Sequence, residues 1–314
     1  MSALILEPTV KLVEAARWYG DVIALNGVTT SFGPGVTGLL GPNGAGKTTM
    51  LRMITGLIKP TAGTVEVLGQ TAWGSVESRS NVGYCPEHDY FYEDMTGHAF
   101  VTLMTRLSGV PTAEAKKRAE AMLEKVRLPL AKGGATKPIR AYSKGMRQKV
   151  KIAQALAHNP TVLILDEPLT GTDPVSRHQI SELCRELGKE GKTVIISSHV
   201  LHEVERVTED FVLVERGRLL AQGNVYQIRD LIDRHPHRID IRCSDARALA
   251  ALLVADAHVA GVQLTDATDL TVQTPAPDAC YDAIPRLALN AGIELRKMSS
   301  PDNNLEAVFR YLTR

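Results

Sequence analysis

The sequence has little of several features that mark particular classes of protein. Aromatic residues make up 5% of the 314 residues, and the formal net charge at pH 7 is only +1. A charge so close to zero gives no electrostatic indication of a nucleic-acid partner or of an acidic tail. No apolar run approaches the roughly 18 residues that a membrane-spanning helix requires. We therefore expect that any work at a membrane is done from the water side, through a partner.

Cysteines are few and scattered along the chain. None of the four forms a CxxC pair, which favours a reducing cytoplasm over a disulfide framework or a zinc site. The first residues show no basic start followed by a long apolar stretch, so we expect no secretory signal.

The composition that is present is typical of a globular protein of about two domains, with 44% hydrophobic and 23% charged residues. Short apolar runs alternate with helical patterns, which predicts an α/β domain over residues 1–224 with a mixed, largely parallel sheet. Apolar residues at helical spacing predict a helical insert at about residues 88–160. The predicted strands of this domain are Val10–Ala16, Val28–Phe32, Val36–Leu40, Val65–Leu68, Asn81–Tyr84, Thr161–Leu165 and Thr193–Ser197.

The pattern changes after about residue 224. Residues 225–314 predict a small α+β domain in the order β-α-β-β-α-β, which is the ferredoxin-like arrangement. A final helix is expected at Asn303–Leu312. The other predicted elements are strands Arg238–Cys243, Val259–Leu264, Leu270–Thr274 and Ile293–Met298, with helices Ser244–Val254 and Pro277–Ala291.

One segment matches a phosphate-binding loop. Residues 41–48, GPNGAGKT, follow the pattern G-x-x-x-x-G-K-[ST] between a predicted strand and a predicted helix, Lys47–Leu57. Glycines permit a tight turn that points backbone N–H groups at phosphate oxygens, and the helix N-terminus adds partial positive charge. We expect Lys47 to reach the outer phosphates of ATP and the Thr48 hydroxyl to bind Mg²⁺. The predicted ATP contacts here are Gly41, Pro42, Asn43, Gly44, Ala45, Gly46, Lys47, Thr48 and Thr49.

A second motif is a pair of acids, Asp166 and Glu167, directly after the apolar run VLIL. In an open α/β sheet, residues at the carboxyl ends of the strands line the ligand crevice. Asp166 is expected to hold Mg²⁺, and Glu167 to polarise the water that attacks the γ-phosphate. The alternative for an isolated acid pair is a helix cap at the end of a strand.

Four further segments, taken with these motifs, resemble the nucleotide-binding subunit of an ATP-binding cassette (ABC) transporter. The resemblance covers roughly residues 8 to 225 and implies a P-loop NTPase fold. The segment YSKGMRQ, residues 142–148, is similar to the family's LSGGQ signature, with Tyr142, Lys144 and Met146 in place of Leu, Gly and Gln. The other three segments are Trp18–Gly20, Gly171–Pro174 and Ser197–His199.

The resemblance implies a role for one or two residues in each segment. Tyr19 would stack on adenine, and His199 would hydrogen-bond the γ-phosphate. Ser143 and Gly145 would contact the γ-phosphate of an ATP held by a second subunit. Asp173 would contact the opposite subunit, a role compatible with capping the helix that follows it.

The largest departure from the family lies in VGYCPE, residues 82–87, where Glu87 stands in place of the usual Gln. A carboxylate oxygen can bind Mg²⁺ or orient water, but its charge beside phosphates has to be offset by the metal. We expect Glu87 to sense Mg·ATP. The implied catalytic residues are therefore Lys47, Glu87, Glu167 and His199, and the implied metal ligands are Thr48, Asp166 and Glu87.

The implied function is ATP hydrolysis that powers a membrane transporter from the cytoplasmic face of the membrane. ATP would be sandwiched in a homodimer, and separate permease subunits would supply the membrane path. The region after residue 225 resembles a domain appended to drug-export subunits, which favours export over import. The aromatic run Tyr90–Tyr92 either contacts a permease helix or packs inside the helical insert. Two alternatives are a soluble ABC ATPase acting on ribosomes or DNA, and a ligand-sensing regulatory ATPase.

Overall fold

The computed structural model describes residues 8–130, 134–224 and 237–300. The chain divides into two compact units, Met1–Gly223 and Asn224–Arg314. Among the described residues no helix combines the length and the apolar character that crossing a bilayer requires. The predicted helix Asn303–Leu312 lies outside the described residues.

The first unit carries ten strands and seven α-helices within the described residues. The strands are β1 (Val10–Tyr19), β2 (Val22–Phe32), β3 (Gly35–Leu40), β4 (Ala62–Val67), β5 (Gln70–Thr71), β6 (Val82–Cys85), β7 (Val162–Leu165), β8 (Thr193–Ser198), β9 (Asp210–Glu215) and β10 (Arg218–Asn224). The helices are α1 (Lys47–Ile54), α2 (Val76–Ser80), α3 (Gly97–Leu107), α4 (Thr112–Lys125), α5 (Lys144–Leu156), α6 (Pro174–Lys189) and α7 (Leu201–Glu205).

These strands form two sheets. A four-stranded sheet has the order β2-β1-β4-β5, and its strands pair antiparallel. A six-stranded sheet has the order β10-β9-β3-β8-β7-β6, and β9, β3, β8, β7 and β6 pair parallel. The predicted mixed, largely parallel fold is therefore confirmed.

The central strands are built for burial on both faces. β7 (VLIL) and β8 (TVIISS) are buried along their whole lengths. Near-continuous apolar character of this kind is what a parallel strand covered on both faces requires. Parallel β3, β7 and β8 end at the same edge of the sheet, so that edge gathers the loops that follow them.

The hairpin of β9 and β10, which extends the central sheet, was not predicted from the sequence. Its turn contains Arg216 and Gly217, both with positive φ (48° and 75°). A two-residue turn of this conformation usually carries Asn-Gly or Asp-Gly, so Arg-Gly is a weak hairpin signal. β2 also begins earlier than predicted, at Val22 rather than Val28.

The helical region after β6 contains α3, α4 and α5. Two of these helices begin with a capping hydroxyl: Thr96 accepts a hydrogen bond from Ala99 N, and Ser143 accepts one from Met146 N. α6 begins in the same manner, with Asp173 accepting from Ser176 N and Pro174 at the first helical position.

The second unit has one four-stranded antiparallel sheet and two helices among its described residues. The sheet order is β12-β13-β11-β14. Along the chain the order is β-α-β-β-α-β, and a separate hydrophobic core contains Ile239, Ile241, Leu249 and Ile284. The elements are β11 (His237–Cys243), α8 (Ala246–Leu253), β12 (Gly261–Leu264), β13 (Asp269–Thr274), α9 (Pro277–Asn290) and β14 (Leu295–Ser299).

Candidate active site

The phosphate loop depends on glycines at defined positions. Gly41, Gly44 and Gly46 have φ of 156°, 81° and 104°, in the region that favours glycine. A Cβ at Gly41 would overlap the carbonyl oxygen of Val214, and one at Gly46 would lie 2.5 Å from the carbonyl oxygen of Ala24. Both glycines are therefore required for the loop to pass this close to neighbouring backbone.

Lys47 is the charged residue of this loop and the first residue of α1. Its side chain is buried, and Nζ donates hydrogen bonds to the carbonyl oxygens of Gly41 (2.6 Å) and Pro42 (3.3 Å). The same Nζ is 3.5 Å from Oε1 of Glu167. The only cation of the loop is thus held between the loop backbone and the second of the paired acids.

Asp166, the first acid, is 1% exposed. Ser197 Oγ donates a 2.6 Å hydrogen bond to Asp166 Oδ1, and the Tyr84 hydroxyl donates one of 3.4 Å to Oδ2. Burial, together with the negative charge of Asp166, raises the pKa of Tyr84, so this hydroxyl stays protonated as a donor. Ser197 also accepts a hydrogen bond from Glu167 N (2.9 Å) and so bridges the two acids.

Glu167 is held in an unusual conformation by three side chains. Its φ is 49°, which is uncommon for a non-glycine residue and marks a conformation fixed by its surroundings. Its Oε2 lies 2.9 Å from His199 Nδ1 and accepts a 2.9 Å hydrogen bond from Thr170 Oγ1. With Lys47 near Oε1, side chains of the same chain orient the carboxylate from both sides.

The loop and Glu167, the second acid, line one cleft with a volume of about 660 Å³, whereas the predicted site residues Gly41 and Asp166 do not line it. Glu87, Glu167 and His199 lie on its wall with the residues of the loop, so the structure brings together most of the predicted set. Four lining residues were not predicted, and three of them, from the start of β2, are apolar. The complete lining is Val22, Ile23, Ala24, Pro42, Asn43, Gly44, Ala45, Gly46, Lys47, Thr48, Thr49, Glu87, Glu167, Thr170 and His199.

Tyr19 does not line this cleft. It ends β1, where it pairs with Val22, and its side chain is exposed, with the Arg17 guanidinium 4.7 Å from the ring centroid. Its backbone partner Val22 does line the cleft. The structure therefore places the predicted adenine-stacking residue beside the apolar wall of the cleft.

Ser143, Gly145 and Asp173 form a second group, and none of them lines the cleft. A Cβ at Gly145 would overlap Ser176 Oγ and lie 2.9 Å from Asp173 Oδ2. The Asp173 side chain is hydrogen-bonded to Ser176, which lowers the pKa of Asp173 and keeps it ionised. Gly145 thus permits the close packing of the signature segment on the start of α6.

The oxygen donors at the cleft suit a hard cation. Thr48 and Glu87, which line the cleft, offer a hydroxyl and a carboxylate, and buried Asp166, directly before Glu167, offers a second carboxylate; these are ligand types that Mg²⁺ prefers. Within the described ranges, no cluster of three or more His, Cys, Asp or Glu side chains could hold a metal. The residues fit a Mg²⁺ whose coordination is completed by phosphate oxygens and water.

Three residues that organise the acids were not predicted as site residues: Tyr84, Thr170 and Ser197. Thr170 follows Glu167 by three residues, a spacing that could have suggested the contact. Ser197 and Tyr84 lie 31 and 82 residues from Asp166 along the chain. Only the pairing of parallel β6, β7 and β8 brings them together.

A family model, curated proteins and solved structures all match this chain. A model of the ABC transporter family matches residues 25–170. The chain is 33% identical over 302 residues to a daunorubicin resistance ATP-binding protein of Streptomyces coeruleorubidus, covering 95% of this chain and 94% of that protein. It is 38% identical over 223 residues to the Nod factor export ATP-binding protein I of Ralstonia nicotianae, covering 70% of this chain and 68% of that protein.

Coverage differs among the relatives and the solved structures. The chain spans 53 to 65% of the length of three other curated ABC transporter ATP-binding proteins. A solved dimeric bacterial ABC transporter cassette superposes with a TM-score of 0.63 at 26% identity, covering 69% of this chain and 98% of that chain.

Proposed function

The chain belongs to the family of ABC transporter ATP-binding proteins, and from that premise we propose that it powers an exporter as an ATP-sandwiched homodimer coupled to separate permease subunits. Members of this family are the ATPase subunits of transporters, so ATP hydrolysis is the reaction of this chain. Our proposal for this chain also covers the number of subunits, the direction of transport and the role of each residue in the cleft.

The observation that carries the homodimer is the separation of two phosphate-binding groups in one chain. The loop, Glu167 and His199 line the cleft, whereas Ser143 and Gly145 do not. A signature segment that serves ATP must then serve the ATP of another subunit. One chain carries both groups, so two copies of it can complete two sites. The dimeric arrangement of the solved bacterial cassette supports this proposal.

In this proposal each side chain at the cleft has its own chemical role. Glu167 polarises the attacking water, and its own orientation is set by Thr170 and His199. Lys47 leaves its two carbonyl partners for the outer phosphates and neutralises their charge. Thr48, Asp166 and Glu87 would hold Mg²⁺, which when bound would supply the positive charge that offsets the phosphates and the carboxylates.

Export is favoured by the relatives that align with both units of the chain. The daunorubicin resistance protein aligns over 95% of the chain, which takes in both units. The Nod factor export protein of a Rhizobium strain aligns over 97% at 32% identity. The second name states export, and the first states resistance to a drug, which outward movement of that drug would provide. A similar role for this chain at the cytoplasmic face of the membrane is our proposal.

The aromatic run after Glu87 offers a contact for the permease. Phe91 packs edge-to-face on Phe100 with ring centroids 5.0 Å apart, so this ring belongs to the helical region. Tyr90 and Tyr92 are 72% and 61% exposed. We assign the permease contact to these two tyrosines, because exposed aromatic rings with polar tips are well suited to protein interfaces.

The homodimer is tested with a variant that binds ATP but hydrolyses it slowly. Glu167→Gln keeps the shape of the side chain and removes the charge that polarises water. With Mg·ATP it should elute as a dimer in size-exclusion chromatography, and without nucleotide as a monomer. The matched control is Glu167→Gln combined with Lys47→Met, which should stay monomeric. A monomer under all conditions would contradict the proposal.

The partner is tested by affinity purification of the full chain from membranes of its own cells. We expect a polytopic membrane protein to co-purify, and the double variant Tyr90→Ser/Tyr92→Ser to lose it while retaining ATP binding. Retrieval of ribosomes or DNA in place of a membrane protein would contradict the transporter assignment of this chain.

A further inference from the structure

Lys151 is a buried cation that lies outside every motif considered so far. It is on α5, its side chain is 5% exposed, and its Nζ has three partners. These are the carbonyl oxygens of Pro86 (3.0 Å) and Glu87 (2.8 Å) and the carboxylate Oδ1 of Asp89 (2.9 Å). Two hydrogen bonds and one ion pair therefore join Lys151 to residues 86–89.

The same face of α5 holds the strand that leads into this segment. Gln148 Nε2 donates to Cys85 Sγ (3.3 Å), and Gln154 Nε2 donates to the carbonyl oxygen of Tyr84 (2.9 Å). Residues 148, 151 and 154 are spaced three apart, so they lie along one face of the helix. Together they fasten one face of α5 to residues 84–89.

A second cation of α5 secures the far end of the segment. Arg147 donates to both carboxylate oxygens of Glu93 (2.7 and 2.6 Å) and lies 3.4 Å from Asp89. Bidentate pairing fixes geometry as well as charge. We name residues 86–93, PEHDYFYE, the acidic loop; it contains Glu87, and both of its ends are bound to α5.

We propose that Lys151 is a positioning residue that holds Glu87 in the nucleotide cleft and links it to the signature residues at the start of the same helix. The inference rests on the role proposed above for Glu87 in binding Mg²⁺. Lys151 does not line the cleft, and it acts through the backbone of Glu87. Glu87 needs this support because its side chain is about half exposed, with His88 3.9 Å away as its ion-pair partner.

The link to the signature follows from the rigidity of a helix. Lys151 is eight residues beyond Ser143, or about 12 Å along the axis at 1.5 Å per residue. A displacement of the start of α5 by a second subunit therefore moves Lys151, and with it the carbonyl oxygen of Glu87. The cleft would in this way register whether the signature has engaged the ATP of the other subunit.

The first test is backbone amide hydrogen exchange in the protein without nucleotide. Lys151→Met keeps the aliphatic stem and removes the ammonium group, so exchange should rise at least about tenfold at the amides that donate to carbonyl oxygens of the acidic loop, those of Met95 and Arg140. The matched control is Lys149→Met, on the same helix and equally enclosed, where Nζ donates to Gln179 Oε1 (2.6 Å) and the Arg127 carbonyl oxygen (3.4 Å). Unchanged exchange in Lys151→Met would overturn the inference.

The second test measures binding of a fluorescent ATP analogue as Mg²⁺ is varied. If Lys151 positions a metal ligand, Lys151→Met should raise the Mg²⁺ concentration for half-saturation about tenfold, as loss of a supporting partner does at other metal sites. Binding in EDTA should not change. In a Glu87→Ala background, Lys151→Met should add nothing further. An equal effect in both backgrounds would show a merely structural role and overturn the inference.

The two proposals fail in different ways. If Glu87→Ala alone leaves the Mg²⁺ dependence unchanged, the metal role of Glu87 is wrong, and so is the positioning role that rests on it. If Glu87→Ala changes that dependence and Lys151→Met does not, only the positioning role is wrong. Should Lys151→Met not fold, Asp89→Asn removes the ionic partner that Lys151 shares with Arg147 and should produce smaller changes in the same directions.

Discussion

Two helices of the first unit begin at the two motifs that we propose contact phosphate, yet their N-termini are built differently. α1 begins after Gly46, which has φ of 104° and offers no side-chain cap. α5 begins after Ser143, whose Oγ accepts a hydrogen bond from Met146 N (3.2 Å). A helix leaves its first N–H groups without intrahelical partners, so these two starts satisfy that need in different ways.

The two helices therefore differ in whether a side chain of the same chain caps their first N–H groups. α1 forgoes a capping interaction of typically about 1 kcal/mol, and the residues at its start, Gly46 to Thr49, line the cleft in which we propose that ATP binds. α5 is capped within its own chain and packed on α6 through Gly145. We infer that the loop is organised to capture phosphate first, and that the signature is a preformed surface that a second subunit presents afterwards.

The largest expected effect comes from removing the cation at α1. Lys47→Met should lower the ATPase rate by at least about 100-fold, because loss of one preorganised group that faces developing charge costs that much in other enzymes. Lys116→Met, on the exposed face of α4, is the control and should change nothing. Steady-state phosphate release measures both. A rate within threefold of the unaltered protein would contradict the assignment of the start of α1 as a phosphate-binding site.

The second effect concerns the packing of α5. Gly145→Ala places a methyl group against Ser176 Oγ and 2.9 Å from Asp173 Oδ2, so the signature segment must shift. We expect the ATPase rate to fall by more than about tenfold, while the affinity of the monomer for a fluorescent ATP analogue stays the same. Gly33→Ala, where a Cβ would meet nothing within 4 Å, is the matched control. Weaker ATP binding by the monomer would show that Gly145 supports the cleft of its own chain, which would contradict its assignment to the signature segment.

The third effect separates capping from function. Ser143→Ala and Thr96→Ala each remove a hydroxyl that caps a helix, so each should lower the free energy of unfolding by about 1 kcal/mol. Only Ser143→Ala should also lower the ATPase rate, since Thr96 belongs to α3. Urea unfolding and phosphate release measure the two properties. Equal ATPase rates in the two variants would show that Ser143 only caps α5.

The contrast also explains how much of the site the sequence could predict. The loop is one contiguous segment, so its sequence pattern alone could predict it, and Pro42 to Thr49 line the cleft. Ser197 and Tyr84 reach Asp166 only through strand pairing across the parallel sheet. The hairpin of β9 and β10 was missed for a related reason, because its Arg-Gly turn is a weak local signal.

The smallest expected effect concerns the C-terminal end of α5. It tests whether contacts within the same chain also secure this end of the helix. His158 follows α5, and its Nε2 lies 3.2 Å from the Val82 carbonyl oxygen. Burial lowers the pKa of His158 below its unfolded value, so the unfolded chain binds the proton more readily. The free energy of unfolding should therefore fall as the pH drops through about 6.5. His158→Gln should reduce this dependence, by no more than one proton per molecule; an unchanged pH dependence would mean that His158 is not buried in its neutral form.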